Sequence, residues 1–210
     1  EGRDRADHPR MDPVDPRDDE QPFPIAPSQA EWDRLSPSQR RRIVDALPTD
    51  DPQLAPPEGM GHWASKSSAY DVLKNYFRRI KRKALVAAEL AVHYPSTRVF
   101  IPDLLVVFDV DARERKKWVV SKEKRGLDFV LEIHDGGDRR KDLEHHPALF
   151  AKLGIPEYVV FDRSRGALHG WRLSSVKSRT YRPTLLQYGV LHSPVLGLDL
   201  RVVGGELRFF

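Results

Sequence analysis

The chain contains no cysteine, which excludes disulfides, thiolate zinc sites and cysteine nucleophiles. It also lacks a long apolar run. No stretch approaches the roughly 20 residues that a membrane-spanning helix needs. The first residues are charged and proline-rich, without the apolar segment of a secretory signal. Together these absences predict a soluble, cytoplasmic protein. No internal repeat is visible.

What is present is enough for a core. The chain has 210 residues, 40% of them hydrophobic and 31% charged, and a single domain usually takes roughly 100–200 residues. The formal charge is +4, unevenly spread. Residues Glu1–Glu20 hold eight acids and four basic groups, so Gln21–Phe210 carries +8. A basic body suits a polyanion such as nucleic acid, although a solvated surface explains the charge equally well. The acids and prolines at the start predict a flexible tail over residues 1–30. Residues 31–210 are then expected to form the domain.

Ser36, Pro37 and Gln39 have the pattern of a capped helix start, which predicts a helix over Pro37–Leu47. A proline-rich loop, Thr49–Gly61, follows. Ala69, Val72, Leu73, Tyr76, Phe77 and Ile80 recur at three- and four-residue steps, the signature of a helix over Ser67–Arg82. Its closing cations, Arg78 to Lys83, are favoured by the helix dipole without any ligand. Leu85–Tyr94 reads as a strand, and Leu104–Phe108 as a strand buried on both faces. Ala112–Arg125 is a charged excursion before another β-rich run, Leu127–Ile133. Asp138–Leu153 reads as helix closed by Gly154, with Pro147 kinking it or starting a new helix. Tyr158–Phe161 is a short buried strand, so strand, helix and strand make one crossover. Leu168–Leu173, Thr180–Gln187 and Glu206–Phe210 predict a terminal antiparallel layer. The fold class is therefore α/β: a mixed β-sheet flanked by helices, with C-terminal antiparallel strands.

The chemistry gathers at two acids. If Leu104–Phe108 and Leu127–Ile133 pair antiparallel with Asp109 near Gly126, the same register sets Asp103 opposite Glu132. Directly opposed residues share a face, with Cβ atoms about 5 Å apart. Carboxylates that close repel unless one is protonated or a cation bridges them, and a hard divalent ion suits oxygen ligands. Each acid also ends an apolar run, where packing alone gives no reason for charge.

Ile101-Pro102-Asp103, Leu131-Glu132-Ile133, Asp142, the stretch Leu153-Gly154-Ile155-Pro156-Glu157-Tyr158, and Asp162 after the next strand resemble the Uma-two family. That family comprises bacterial restriction-endonuclease-like proteins of the PD-(D/E)XK nuclease superfamily. The resemblance covers about Pro56–Phe210 and implies a restriction-endonuclease-like fold with metal-dependent phosphodiester hydrolysis of DNA. Asp103 and Glu132 would hold Mg²⁺ or Mn²⁺, and a lysine would position or activate the attacking water. By analogy a homodimer would cut both strands. The Gly154–Tyr158 stretch is structural rather than catalytic.

The lysine is where the chain departs from the pattern. The superfamily's usual position, two residues after the glutamate, holds His134. The family's alternative position, four residues after Asp142, holds His146. Three readings stand side by side. Lys141 supplies the cation, or His134 acts as base or third ligand, or the site has lost activity and the domain binds DNA or a protein partner. Glu89 is a further candidate metal ligand, against its reading as a solvent-facing strand residue. His62, His93, His145 and Trp63 have no evident partner in the sequence and read as loop or surface residues. Asp162 fits a turn.

Overall fold

The computed structural model describes residues 24–50, 59–137 and 139–210. Most of the 1–30 tail and residues 51–58 of the proline-rich loop lie outside them. The described part of the tail is already attached to the body. Ala26 is buried and bridges to Pro95, and a helix begins at Gln29.

Among the described residues three helices precede the first strand. Helix α1 (Gln29–Arg34) and helix α2 (Pro37–Ala46) each start on a complete capping box, Ser28 with Glu31 and Ser36 with Gln39. In each, two otherwise orphaned amides are satisfied reciprocally. Helix α3 runs Met60–Arg79, seven residues further toward the N-terminus than the apolar repeat announces. Then follow β1 (Ala84–Ala88), β2 (Ala91–His93), β3 (Leu104–Phe108), β4 (Lys117–Val119), α4 (Val120–Glu123) and β5 (Phe129–His134). A π-helical turn over Lys141–His145 leads into α5 (His146–Leu153), and β6 (Glu157–Asp162) completes the crossover. The C-terminal part adds β7 (Ala167–Leu173), β8 (Tyr181–Pro183), β9 (Leu191–Ser193), β10 (Leu198–Val203) and β11 (Glu206–Phe209).

The main sheet is mixed, in the order β1-β3-β5-β6-β7-β8. β5 and β6 pair parallel, as a helical crossover requires, and the other neighbours pair antiparallel. A separate antiparallel layer, β11-β10-β9, forms the C-terminal part, and β2 pairs β4 in a small parallel ribbon. The strand expected over Leu85–Tyr94 is two strands. The chain turns at Glu89, whose φ of 50° lies in the left-handed region and ends the pleat.

Two apolar layers sandwich the main sheet, because successive strand residues point to opposite faces. Leu104, Val106, Leu131 and Ile133 face Ala69, Leu73 and Phe77 of α3 together with Leu198, Leu200 and Leu207 of the terminal layer. Leu105, Val107, Val130, Tyr158 and Val160 face Phe150, Ile155 and Trp118. The α3 helix and the helix that follows the π-helical turn thus cover opposite faces. Asp103 has the parity of Leu105, and Glu132 that of Val130, so both acids share the α5 face.

Candidate active site

The register sets the two acids together. Leu104 pairs Leu131, Leu105 pairs Val130 and Val106 pairs Phe129. One step further along that ladder brings Asp103 opposite Glu132. The contact is direct, since the Asp103 backbone amide donates to Glu132 Oε2 at 3.2 Å. Asp103 Oδ2 accepts from the Ile133 amide at 2.7 Å. The two residues therefore hold each other's strand end through side chain and backbone.

The crossover helix brings the next groups. His146 donates its backbone N–H to the Lys141 carbonyl, five residues back, which widens the turn into a π-turn. Pro147 explains the position of the break. It has no amide to donate and its ring crowds the carbonyl four residues earlier, so a new helix starts around it. The break places both Asp142 and His146 at the acids. Asp142 Oδ2 lies 3.0 Å from His134 Nδ1, and Tyr158 Oη donates to the Asp142 carbonyl at 2.9 Å, pinning the turn to β6. His146 Nδ1 stands 3.6 Å from both Glu132 Oε1 and Asp142 Oδ1. It is buried without a hydrogen bond.

A second contingent comes from α3. His62 Nε2 lies 2.9 Å from Asp103 Oδ1, and Lys66 Nζ is 3.8 Å from the same oxygen. Lys66 also hydrogen-bonds Glu89 Oε1. His62 is 1% exposed and His93, bonded to the Pro48 carbonyl, 0%. Neither is the surface residue that its position in the sequence suggested.

Burial and like charge dominate the electrostatics. The Glu132 carboxyl is pushed well above the ordinary range, first by desolvation, then by Asp103 and Asp142. Asp142 is also raised, by burial, against the opposing hydrogen bond from His134. Burial, with the charges of Lys141 and His145, pushes His146 down to about 4. At neutral pH His146 is therefore an uncharged imidazole rather than an ion-pair partner.

The sequence-derived residues divide accordingly. Asp103, Glu132 and His134 meet at one sheet end. Lys141 is exposed, with no ion pair among the described residues, though its charge reaches Glu132 and Asp142. Glu89 does not join the acids directly, because the Lys66 ammonium stands between its carboxylate and Asp103. Its side chain is two-thirds exposed. Asp162 behaves as a turn residue, accepting from the Arg165 amide while also pairing with Arg139. Glu157 is buried and accepts from Ser193 Oγ at 2.6 Å, a structural role.

Residues 47–202 match the family model Uma-two, described as putative restriction endonuclease. The chain belongs to the Uma-two family. A crystal structure from Anabaena variabilis ATCC 29413, described as a putative nuclease belonging to DUF820, shares the fold with a TM-score of 0.52 at 14% identity. That similarity covers 68% of this chain and 76% of the other. No curated protein matches. Family and fold support a nuclease, with a restriction-endonuclease-like mixed sheet and C-terminal antiparallel strands.

The donor chemistry of this Uma-two site fits a divalent cation. Three carboxylates, two of them with raised pKa, converge with a buried imidazole nitrogen that makes no hydrogen bond and lies 3.6 Å from two acidic oxygens. Such a set is strained without positive charge. Among the described residues no three acids or histidines are already gathered at ligating positions.

Proposed function

We propose that this Uma-two protein hydrolyses DNA phosphodiester bonds with Mg²⁺ or Mn²⁺ held by Asp103 and Glu132. The observation that carries the reading is the mutual clasp of the two acids on one face of the sheet end. When bound, the ion polarises a phosphoryl oxygen and lowers the pKa of a water. The protein's part is placement. Asp103 and Glu132 would ligate through lone pairs that their hydrogen bonds leave free. Asp142, fixed by Tyr158 and His134, adds negative charge beside them. His134 serves as orienter of Asp142 or as base, and Lys141 stands on the same turn as an exposed cation. Glu89 enters as a partner of Lys66 before it enters as a ligand. The basic body supplies attraction for the polyanion.

Among the described residues no helix is long and apolar enough to cross a membrane. A cytoplasmic setting suits a DNA substrate. The homodimer implied by double-strand cutting has no support in the single chain.

A second reading is a silent nuclease relative that binds DNA or a protein partner. It is favoured by histidines at positions 134 and 146 and by Asp103, whose two oxygens both already accept hydrogen bonds or face cations. Nicking of supercoiled plasmid with Mn²⁺ or Mg²⁺ separates the readings. Cleavage that disappears in Asp103→Ala and Glu132→Ala supports the nuclease. Intact DNA binding without cleavage by the unmodified chain supports the silent domain.

A further inference from the structure

We infer that Lys66 of α3 is the catalytic cation of this site, taking the place of the lysine missing from β5 and from α5. The inference rests on the nuclease reading and deepens it.

Lys66 lies one helical turn after His62, so the two side chains share a face of α3. Both reach the same atom. His62 Nε2 is 2.9 Å and Lys66 Nζ 3.8 Å from Asp103 Oδ1. The Lys66 side chain is only 11% exposed, and lysine is almost never buried without a partner. Its hydrogen-bond partner, Glu89, is the more exposed half of the pair, at 67%. Glu89 is nonetheless fixed in place by its backbone, since its amide donates to the carbonyls of Pro102 (3.2 Å) and Asp103 (3.3 Å). The loop that presents the metal-ligating aspartate therefore also presents the carboxylate that holds Lys66 ready.

An ammonium has three donors and no acceptor. One donor engages Glu89, and the others remain for an incoming anion. Beside Asp103, Lys66 donates a hydrogen bond to a non-bridging oxygen of the scissile phosphate and transfers no proton. It stabilises charge that grows as the phosphorus is attacked, which is how a preorganised donor acts on the rate. Lys141, the other candidate, is exposed and held by no ion pair among the described residues, so it is not preorganised.

The test compares Lys66→Met, Lys66→Arg, Glu89→Ala and Lys141→Met in single-turnover cleavage of an oligonucleotide duplex with Mn²⁺, with Asp103→Ala as the floor. DNA affinity is measured separately by anisotropy in EDTA. Lys66→Met should lose roughly 100- to 1000-fold in cleavage rate, the usual cost of one such donor, while binding DNA within about threefold. Lys66→Arg should recover part of that loss. Glu89→Ala should fall between the unmodified chain and Lys66→Met, because it removes the carboxylate that holds Lys66 ready but leaves the ammonium beside Asp103. Lys141→Met should lose far less rate than Lys66→Met, since its ammonium is exposed and acts on the acids only through its charge. Melting temperatures check folding, and the arginine variant keeps the test valid if methionine perturbs the helix. Full activity in Lys66→Met, or a dead Lys141→Met beside it, overturns the assignment while leaving the nuclease reading intact. An unmodified chain that cuts nothing refutes both.

Discussion

Replacing Glu132 with glutamine should make the metal-free protein more stable. The Glu132 carboxyl is buried and faces Asp103 and Asp142. Two unit charges about 5 Å apart repel by roughly 3 kcal/mol at an effective dielectric near 20. Lys141 offsets part of that, and partial protonation removes more. A net gain of about 1–2 kcal/mol for Glu132→Gln remains, since the amide oxygen can still accept from the Asp103 amide. In a domain of this size each kcal/mol moves the midpoint by about 2–4 °C. Calorimetry in EDTA near neutral pH should then show the variant melting about 2–8 °C higher. The order reverses with metal. An ion at a hundred times its dissociation constant stabilises by about 2.7 kcal/mol, so Mn²⁺ should raise the midpoint of the unmodified chain by several degrees and leave the variant where it was. A variant that melts lower in EDTA, or keeps the full Mn²⁺ shift, would refute the reasoning.

Three further outcomes follow from the same geometry. Tyr158→Phe deletes the hydroxyl that holds the Asp142 carbonyl; it should cost about 0.5–1.5 kcal/mol in denaturant melts and slow cleavage by loosening the π-turn. Glu157 is buried, with one carboxyl oxygen lacking any hydrogen bond, and its pKa is raised by desolvation. A group raised in the fold contributes stability below its unfolded value and loses it as pH rises through the folded one, so Glu157→Gln should match the unmodified chain below the ordinary carboxylate range and become progressively more stable as pH rises above it. Trp63 is 65% exposed and lines an open groove of about 530 Å³ with Lys66, Tyr70 and Lys74; if a base stacks there, Trp63→Ala should weaken single-stranded DNA binding by roughly 1–3 kcal/mol, read by anisotropy, and unchanged affinity would exclude the groove.

The sheet was legible because burial writes itself into strand sequences. Leu104–Phe108 is apolar throughout and is buried throughout, and the register inferred from Asp109 and Gly126 is the one that pairs Leu104 with Leu131. Pro147 announced the helix break at its true position. What escaped notice was the first two turns of α3. Gly59 offers no side-chain cap there, and His62 and Lys66 are polar, so the apolar repeat falls silent before Ala69. Yet His62, Lys66, Ala69, Leu73 and Phe77 continue one three- and four-residue stripe, and all five are buried. Polar residues that extend a buried stripe beyond its apolar end were the signal for groups aimed at the site. The turn at Glu89 was hidden for a different reason: the alternation around it is compatible with one strand, and only its pairing to Lys66 and the Pro102–Asp103 backbone breaks the pleat.

The central claim is that Asp103 and Glu132 share one divalent ion. A crystal of the unmodified chain soaked in Mn²⁺, with anomalous diffraction collected at the manganese edge, tests it most directly. The account predicts an anomalous peak ligated by both carboxylates, at about 2.0–2.3 Å from oxygen. A fully soaked crystal with no peak there, the two acids still clasped as in the metal-free chain, would contradict it.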